Sequence, residues 1–406
     1  MSAASNSNCL QYQYIANQET GQNVVGFDPD LENIINSVHQ SQHYSQSQLP
    51  APTNATILSK NLRMPTSWKT SLALDVVIPG DIKATLEGIY SFNYHEVYAK
   101  VLGYKEDGTV MLPGEPGART HYTSEGITNS EGSVMSGYYL YNEKKLHGQY
   151  LSLTAQLSKE FRFGLSLMAA YTFSNANSIT DGIGDQVSSF ANTFNVNDCN
   201  SPEIGYTAYV TPHRVIAAIG YLIKEGPRTA TRLGLFYEGL NLGVYNANFR
   251  ARRSYLIQNV SGLTSSQLIY IPTEEELAAM PFVTEENRAA FEEFISSDNY
   301  LRKHRGEYSM RNGGRSPWVN RINFKIDQEI YFNINGHKQT LDVGVDFNNL
   351  GNLLCSKWGA YKVLDNEVVL RYDKQSGSYT FTPSTWSYYN NLSSTWQILL
   401  HVKYSF

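Results

Sequence analysis

Amphipathic segments of period two recur along this chain in pairs, and the pairs are separated by alternately short and long connections. Leu72, Leu74, Val76 and Ile78 alternate with Ser71, Ala73, Asp75 and Val77 before a turn at Pro79-Gly80-Asp81. Ile82, Ala84, Leu86, Gly88, Tyr90 and Phe92 follow, alternating with Lys83, Thr85, Glu87, Ile89, Ser91 and Asn93. Successive side chains of a strand point to opposite faces, so each run has one apolar and one mostly polar face. The pair reads as a hairpin. The same form recurs at Leu151–Leu157, turned near Lys159-Glu160 into Phe161–Phe173. It recurs at Val215–Ile223, turned at KEGPR into Leu233–Tyr237, and at Ile322–Ile330, turned at Asn335-Gly336 into Leu341–Phe347. A last run carries Trp396, Ile398, Leu400, Val402, Tyr404 and Phe406 on one face, with Gln397, Leu399, His401, Lys403 and Ser405 on the other.

A soluble sandwich has no reason to keep every second connection tight. An outer-membrane barrel does, because its turns are short on one side of the membrane and its loops are long on the other. Each barrel strand needs about ten residues, apolar outward and polar inward, with aromatic residues at both interfaces. Charged residues make up 17% of the chain, there are 29 Tyr, and no run of 18 apolar residues is present. Soluble domains carry roughly 25% charged residues, so the composition leans the same way. A secreted β-sandwich rich in carbohydrate-binding aromatics shares that composition. The expected fold is all-β: part of an antiparallel transmembrane β-barrel of about nine strong strands, with about two weaker ones at Tyr361–Tyr372 and Ser378–Phe381.

The expected organisation is a polar, loop-like region over residues 1–66 and a barrel region over 67–406. A short helix over Leu31–Val38, introduced by Asp28-Pro29-Asp30, is the one element expected in the first region. A helical insert is expected over about 273–299 in the longest loop. There Thr273 precedes Glu274-Glu275-Glu276 and Thr284 precedes Glu285-Glu286, two N-cap and acidic first-turn signatures. Cys9, Cys199 and Cys355 are far apart and form neither a disulfide framework nor a metal spacing. The net charge is −5 and the cations are scattered, which disfavours a nucleic-acid partner. The first residues lack the basic and apolar regions of a signal peptide.

Five stretches resemble the barrels of TonB-dependent outer-membrane receptors, in the Oar-like branch of Bacteroidota. They are SWKTSLALDVVIPGDIKATLEGIYS, SLTAQLSKEFRFGLSLMAAYTFS, VNDCNSPEIGYTAYVTPHRVIAAIGY, DNYLRKHRGEYSMRNGGRSPWVNRINFKIDQEIY and VDFNNLGNLLCSKWG. The resemblance covers about Asn23 to Phe406. It implies the carboxy-terminal part of a closed barrel of about twenty-two strands. It also implies a location in the outer membrane of a Gram-negative bacterium, with lipid and the barrel assembly machinery as partners. A ligand would be captured by extracellular loops and moved through the barrel. The TonB complex would act only through an amino-terminal part with signal peptide and plug, which these 406 residues lack. The terminal residues Trp396, Tyr404 and Phe406 would serve as the assembly signal. Two further readings stay open: a non-transporting adhesin or surface binding protein, and a secreted all-β carbohydrate-binding protein. The ligand cannot be read from the sequence, since loops vary independently of their scaffold.

Among candidate sites, the Arg-dense segment around Arg305, Glu307, Arg311, Asn312 and Arg315 has two readings. Guanidinium forks bind carboxylate and phosphate ligands well. The same residues can lock a loop-to-strand junction through Arg–Glu pairs and glycine turns. Asp181, Asp185, Asn197 and Asp198 could supply oxygen ligands to calcium, although their spacing matches no EF-hand loop. His213, Arg214 and His401 fall on or near strands, as lumen-lining or wall residues. Asp75, Lys83, Glu87, Arg162, Arg232, Glu238, Lys325, Asp327, Glu329, Asp342 and Asp346 fit the wet face of a wall. There is no GxSxG, HExxH or P-loop, and nothing fixes two carboxylates at a catalytic separation. The expectation is a protein that is not an enzyme, with no catalytic residues, no cofactor and no metal.

Overall fold

The computed structural model describes residues 54–128, 134–181, 187, 193–245, 248–258, 260–334 and 336–406. The expected Leu31–Val38 helix, Asp185 and Asn335 lie outside these residues.

The chain is mostly β, with 57% strand and 9% helix. Nine long strands follow one another in a single antiparallel meander: β1 (Thr66–Ile78), β2 (Ile82–Leu102), β3 (Gln149–Glu160), β4 (Leu165–Ser178), β5 (His213–Lys224), β6 (Thr229–Asn241), β7 (Trp318–Ile334), β8 (His337–Asn348) and β9 (Gln397–Ser405). Each pairs with the next in sequence order. Among the described residues β1 and β9 each have one long neighbour, so the sheet is open and no closed barrel forms. The connections run in the expected rhythm. Tight turns join β1 to β2, β3 to β4, β5 to β6 and β7 to β8, all at one end of the sheet.

The tight turns have local causes. Gly80 and Asp81 both take positive φ, +90° and 58°, which the Pro-Gly-Asp sequence makes cheap. Gly164 has φ +96°, and a Cβ there would stand 2.4 Å from the Leu222 carbonyl oxygen of the next hairpin.

The two faces of the sheet differ as the alternation predicts. Leu72, Leu86, Leu153, Leu167, Ile219, Leu235, Ile326, Val343 and Leu400, one from each strand, are all exposed on the same face. The opposite face carries cross-strand polar pairs. Ser152 meets Ser174 at 3.2 Å and Thr154 meets Thr172 at 3.0 Å. Arg214 pairs with Glu238 at 2.5 Å, and Arg232 with Glu329 at 2.8 Å. The charged strand residues expected on the wet face share this polar face. Arg162 falls instead in the turn between β3 and β4. His213 lies in the apolar register, where its Nδ1 is 2.7 Å from the Tyr171 hydroxyl, while Arg214 and His401 lie in the polar one.

Most of the buried core lies outside the wall, although Val97 and Ala99 of β2 and Val319 of β7 belong to smaller buried clusters. It lies in the described parts of the four long connections, 103–148, 179–212, 242–317 and 349–396, which fold together at the end opposite the turns. Its main cluster joins Leu112 of the first connection, Tyr255, Ile257, Ile269, Leu277, Phe291 and Ile295 of the third, and Val369, Leu370, Tyr379 and Phe381 of the fourth. The expected helical insert is present as α1 (Glu274–Ala279) and α2 (Glu285–Ser297). Thr273 forms a capping box with Glu276, and the Thr284 hydroxyl accepts from the Asn287 amide. Phe291 and Ile295, four residues apart on α2, are both buried.

Three sequence expectations change. The two weaker strands near 361–381 belong to the cap rather than the wall: Lys362–Leu364, Val368–Asp373 and Ser378–Phe381 pair with segments of the other connections or with one another. Residues 103–148 are not a plain loop, because β2 continues beyond β3 and pairs there with Val134–Glu143. Within the polar region 1–66, Asn54–Leu58 forms a short strand parallel to Val134–Glu143. Short apolar runs of this kind have no distinct period, which is why the pattern did not separate them from loop.

Candidate functional site in the loop cap

The cap is held together by three buried polar hubs, each crossing between connections. Arg119 is fully buried. Its guanidinium forms a two-pronged pair with Glu115, both contacts 2.8 Å. Its remaining donor reaches the carbonyl oxygens of Val196 at 3.0 Å and Leu268 at 2.9 Å. One side chain of the first connection therefore ties down the second and third.

Asp198 is the second hub. It takes positive φ, 89°, and is buried. Its carboxylate accepts from the backbone amides of Cys199, Leu263 and Thr264 at 2.8, 3.2 and 3.0 Å, from the Thr264 hydroxyl at 2.5 Å, and from the Ser261 hydroxyl. Of the other oxygen donors considered for calcium, Asp181 and Asn197 are engaged in contacts of their own. Asp181 accepts from Asn312 and from the Ala208 amide, and Asn197 accepts from the Thr120 amide. These bonds fix loops to one another.

The Arg-dense segment supplies the third hub. Arg311 is 2% exposed, and its guanidinium donates to the carbonyl oxygen of Ser178 at the top of β4. Burial pushes its pKa down from the ordinary arginine value. Asn312, also buried, takes the left-handed conformation at φ 57°. Its amide group donates to Asp181 at 2.8 Å and to the Tyr206 carbonyl at 2.7 Å. The two glycines that follow serve close approach. A Cβ at Gly313 would lie 2.3 Å from the Tyr300 ring, and one at Gly314 2.4 Å from the Tyr255 hydroxyl. Those two rings stack with centroids 5.9 Å apart. Arg305 donates to the Pro272 carbonyl at 3.1 Å and pairs with Glu292 of α2. Glu307 is exposed on a short strand opposite Ile271. Arg315 is exposed, paired in register with Arg252. Arg252 lies 4.0 Å over the Tyr206 ring, and burial lowers its pKa to about 10.

Arg305, Arg311 and Asn312 therefore make internal contacts within the cap. Arg315 and Glu307 alone of that group face outward. The sequence did not mark Arg119, because a lone Arg carries no motif. The Glu115–Arg119 spacing is its one trace.

One of the open recesses lies at the junction of cap and wall. A recess of about 360 Å³ is lined by Glu238 of β6, Arg321 and Asn323 of β7, Asn348 of β8, Ser393 and Gln397. It opens on the polar face. Arg321 donates to the Tyr361 hydroxyl at 2.8 Å, and its Nε is buried without a hydrogen-bond partner. A recess of paired charges and amides suits a small polar solute better than an apolar one.

The carboxy-terminal aromatics lie at the turn end. Tyr404 stacks on Phe332 with centroids 6.3 Å apart, and its hydroxyl donates to Gln339 at 2.7 Å. Phe406 is 93% exposed beside it. Trp396 immediately precedes β9 at the cap end and is exposed.

No protein-family model, curated protein or solved structure matches this chain.

Proposed function

We infer that this chain forms nine wall strands and the extracellular cap of a TonB-dependent outer-membrane receptor. The observation that carries the reading is the inversion of burial. All nine strands expose large aliphatic side chains on one face, while the polar face carries the ion pairs and hydroxyl ladders. In water such a continuous apolar face is a liability far beyond the patches that soluble proteins tolerate. Facing lipid, it becomes the stabilising surface. No helix among the described residues is long and apolar enough to cross a membrane, so strands would do the crossing.

The rest of the arrangement fits that role. Tight turns take the periplasmic end, and the four long connections form a structured cap at the outer end. The recess under the cap opens toward the polar face, the side on which a solute would pass. Among the described residues the outer edges of β1 and β9 have no strand partner, which lipid does not tolerate, so further strands would pair with them to close the wall. Transport is a property of that closed assembly with its plug, and ligand capture is the share of this chain.

The test is where the protein resides. After export in a Gram-negative host, the chain should fractionate with the outer membrane, resist extraction by high salt and alkali, and require detergent for solubility. A monodisperse protein in detergent-free buffer would overturn the reading and favour a secreted binding protein.

A further inference from the structure

Asp327, Gly344 and His401 stand directly opposite one another on β7, β8 and β9. All three belong to the polar face. A Cβ on Gly344 would lie 2.2 Å from Asp327 Oδ1 and 2.3 Å from the His401 ring. The glycine leaves a gap in the middle strand, and side chains from its two neighbours meet across it. His401 Nε2 is 3.0 Å from Asp327 Oδ1. Asp342 and Asp346 lie two residues to either side of Gly344. Asp327, Asp342 and His401 each offer a ligand atom within 4.8 Å of the others.

The donor set is under-neutralised. Asp327 is 6% exposed, and its Oδ1 is met by His401 Nε2 at 3.0 Å and by Lys325 Nζ at 3.3 Å. Asp342 Oδ1 is buried without a hydrogen-bond partner among the described residues. Lys325 reaches Asp327 at 3.3 Å and Asp346 at 3.7 Å. Lys403 is opposite Asp342 in register yet makes no ion pair within 4 Å among the described residues. Glu329, opposite Asp342 on β7, is already paired with Arg232. Asp342 Oδ1 is thus a buried carboxylate oxygen without a donor among the described residues, which is costly, and an added cation removes that cost. The orientation of the imidazole points the same way. Asp346 Oδ2 stands 3.6 Å from His401 Nδ1. A carboxylate on the far nitrogen is the usual partner of a metal-bound histidine, since it holds that N–H and frees the other lone pair. Nε2, the nitrogen on the Asp327 side, is the one that a metal at this site would take. Two carboxylates and one imidazole suit a divalent transition metal of borderline softness, with water in the open position.

We propose that Asp327, Asp342 and His401 form a divalent transition-metal site on the polar face of the wall, oriented by Asp346 and made accessible by Gly344. The site does not depend on the transport reading, because the same face is wet in a barrel or in a soluble sheet. The probe is Zn²⁺ alone, titrated calorimetrically into the purified full chain at neutral pH. One ion should bind per chain. His401→Ala and Asp342→Asn should each weaken binding by at least about tenfold, and Gly344→Ala should do the same by filling the gap. Lys325→Met, which removes the competing ammonium, should tighten it. Circular dichroism of each variant separates lost ligands from lost fold. Absence of Zn²⁺ binding by the wild-type chain would overturn the proposal. So would well-folded His401→Ala and Asp342→Asn variants that bind as tightly as wild type, or a Lys325→Met variant that binds no more tightly.

Discussion

The Arg119 guanidinium and the Leu268 carbonyl oxygen are separated by 149 residues in sequence and by 2.9 Å in the fold. The contact spans two of the four long connections, and a second bond from the same nitrogen reaches Val196 in a third segment. Connections that would be independent loops on a soluble sheet are thus welded into one body.

Removing that guanidinium should loosen the cap and leave the wall intact. Arg119→Ala strands Glu115, whose side chain is 3% exposed, as a buried unpaired charge. Breaking a buried pair in this way costs about 3–5 kcal/mol. Hydrogen exchange should accelerate in the backbone near Val196 and Leu268, while β5 to β8 keep their protection.

Asp198 provides a graded version of the same test. Asp198→Asn keeps a residue that tolerates positive φ but removes the charge that gathers the amides of Cys199, Leu263 and Thr264. The expected loss is about 2 kcal/mol of local stability. Asp198→Ala adds left-handed strain and should lose more. Limited proteolysis between Ser261 and Gln267 would rank the two variants.

The cap should also respond to pH, and burial sets the sign. Glu203 and Glu367 both have pKa values raised above the ordinary 4.5, with burial the leading cause in each case. Bonds from the Val196 amide to Glu203 and from the Ser254 amide to Glu367 oppose that rise without cancelling it. In the window between 4.5 and the raised values the folded cap binds more protons than the unfolded chain. Its stability therefore falls as pH rises through that window. Thermal unfolding followed between mildly acidic and neutral pH should show the decline, and Glu203→Gln with Glu367→Gln should flatten it.

The Arg-dense segment admits a direct comparison of its two readings. Arg311→Ala should destabilise the junction of β4 with the cap, since it removes donors to the Ser178 carbonyl and to Asn195. Arg315→Ala, at an exposed position, should leave stability within about 0.5 kcal/mol. A differential unfolding measurement of the two variants checks this. Equal and negligible effects would refute the locking role of Arg311.

The wall was legible because its signal is periodic. Runs such as Ile82–Phe92 and Leu341–Phe347 alternate over many residues, and the turn chemistry of Pro79-Gly80-Asp81 fixes where they reverse. The helices were legible from Thr273 and Thr284. The cap was not. Most of its strands are short, its pairings are partly parallel, and its hubs are single side chains such as Arg119 whose partners lie far along the chain. Asp198 was visible as a polar loop residue but its role was not, because polar spacing alone cannot tell a carboxylate that gathers backbone amides from one that awaits a cation. The Asp327–His401 meeting depends on a glycine in the strand between them. It appears only once the register of three strands is known.

The central claim is that one face of the wall meets lipid and the other meets water. Nitroxide labels placed singly along β6 from Arg232 to Glu238, in outer-membrane preparations, test it most directly. Labels at Leu233, Leu235 and Tyr237 should be accessible to oxygen and shielded from a water-soluble relaxation agent. Labels at Arg232, Gly234, Phe236 and Glu238 should show the opposite, so that the two profiles alternate out of phase with period two. Uniform access of the water-soluble agent to both sets of positions would contradict it.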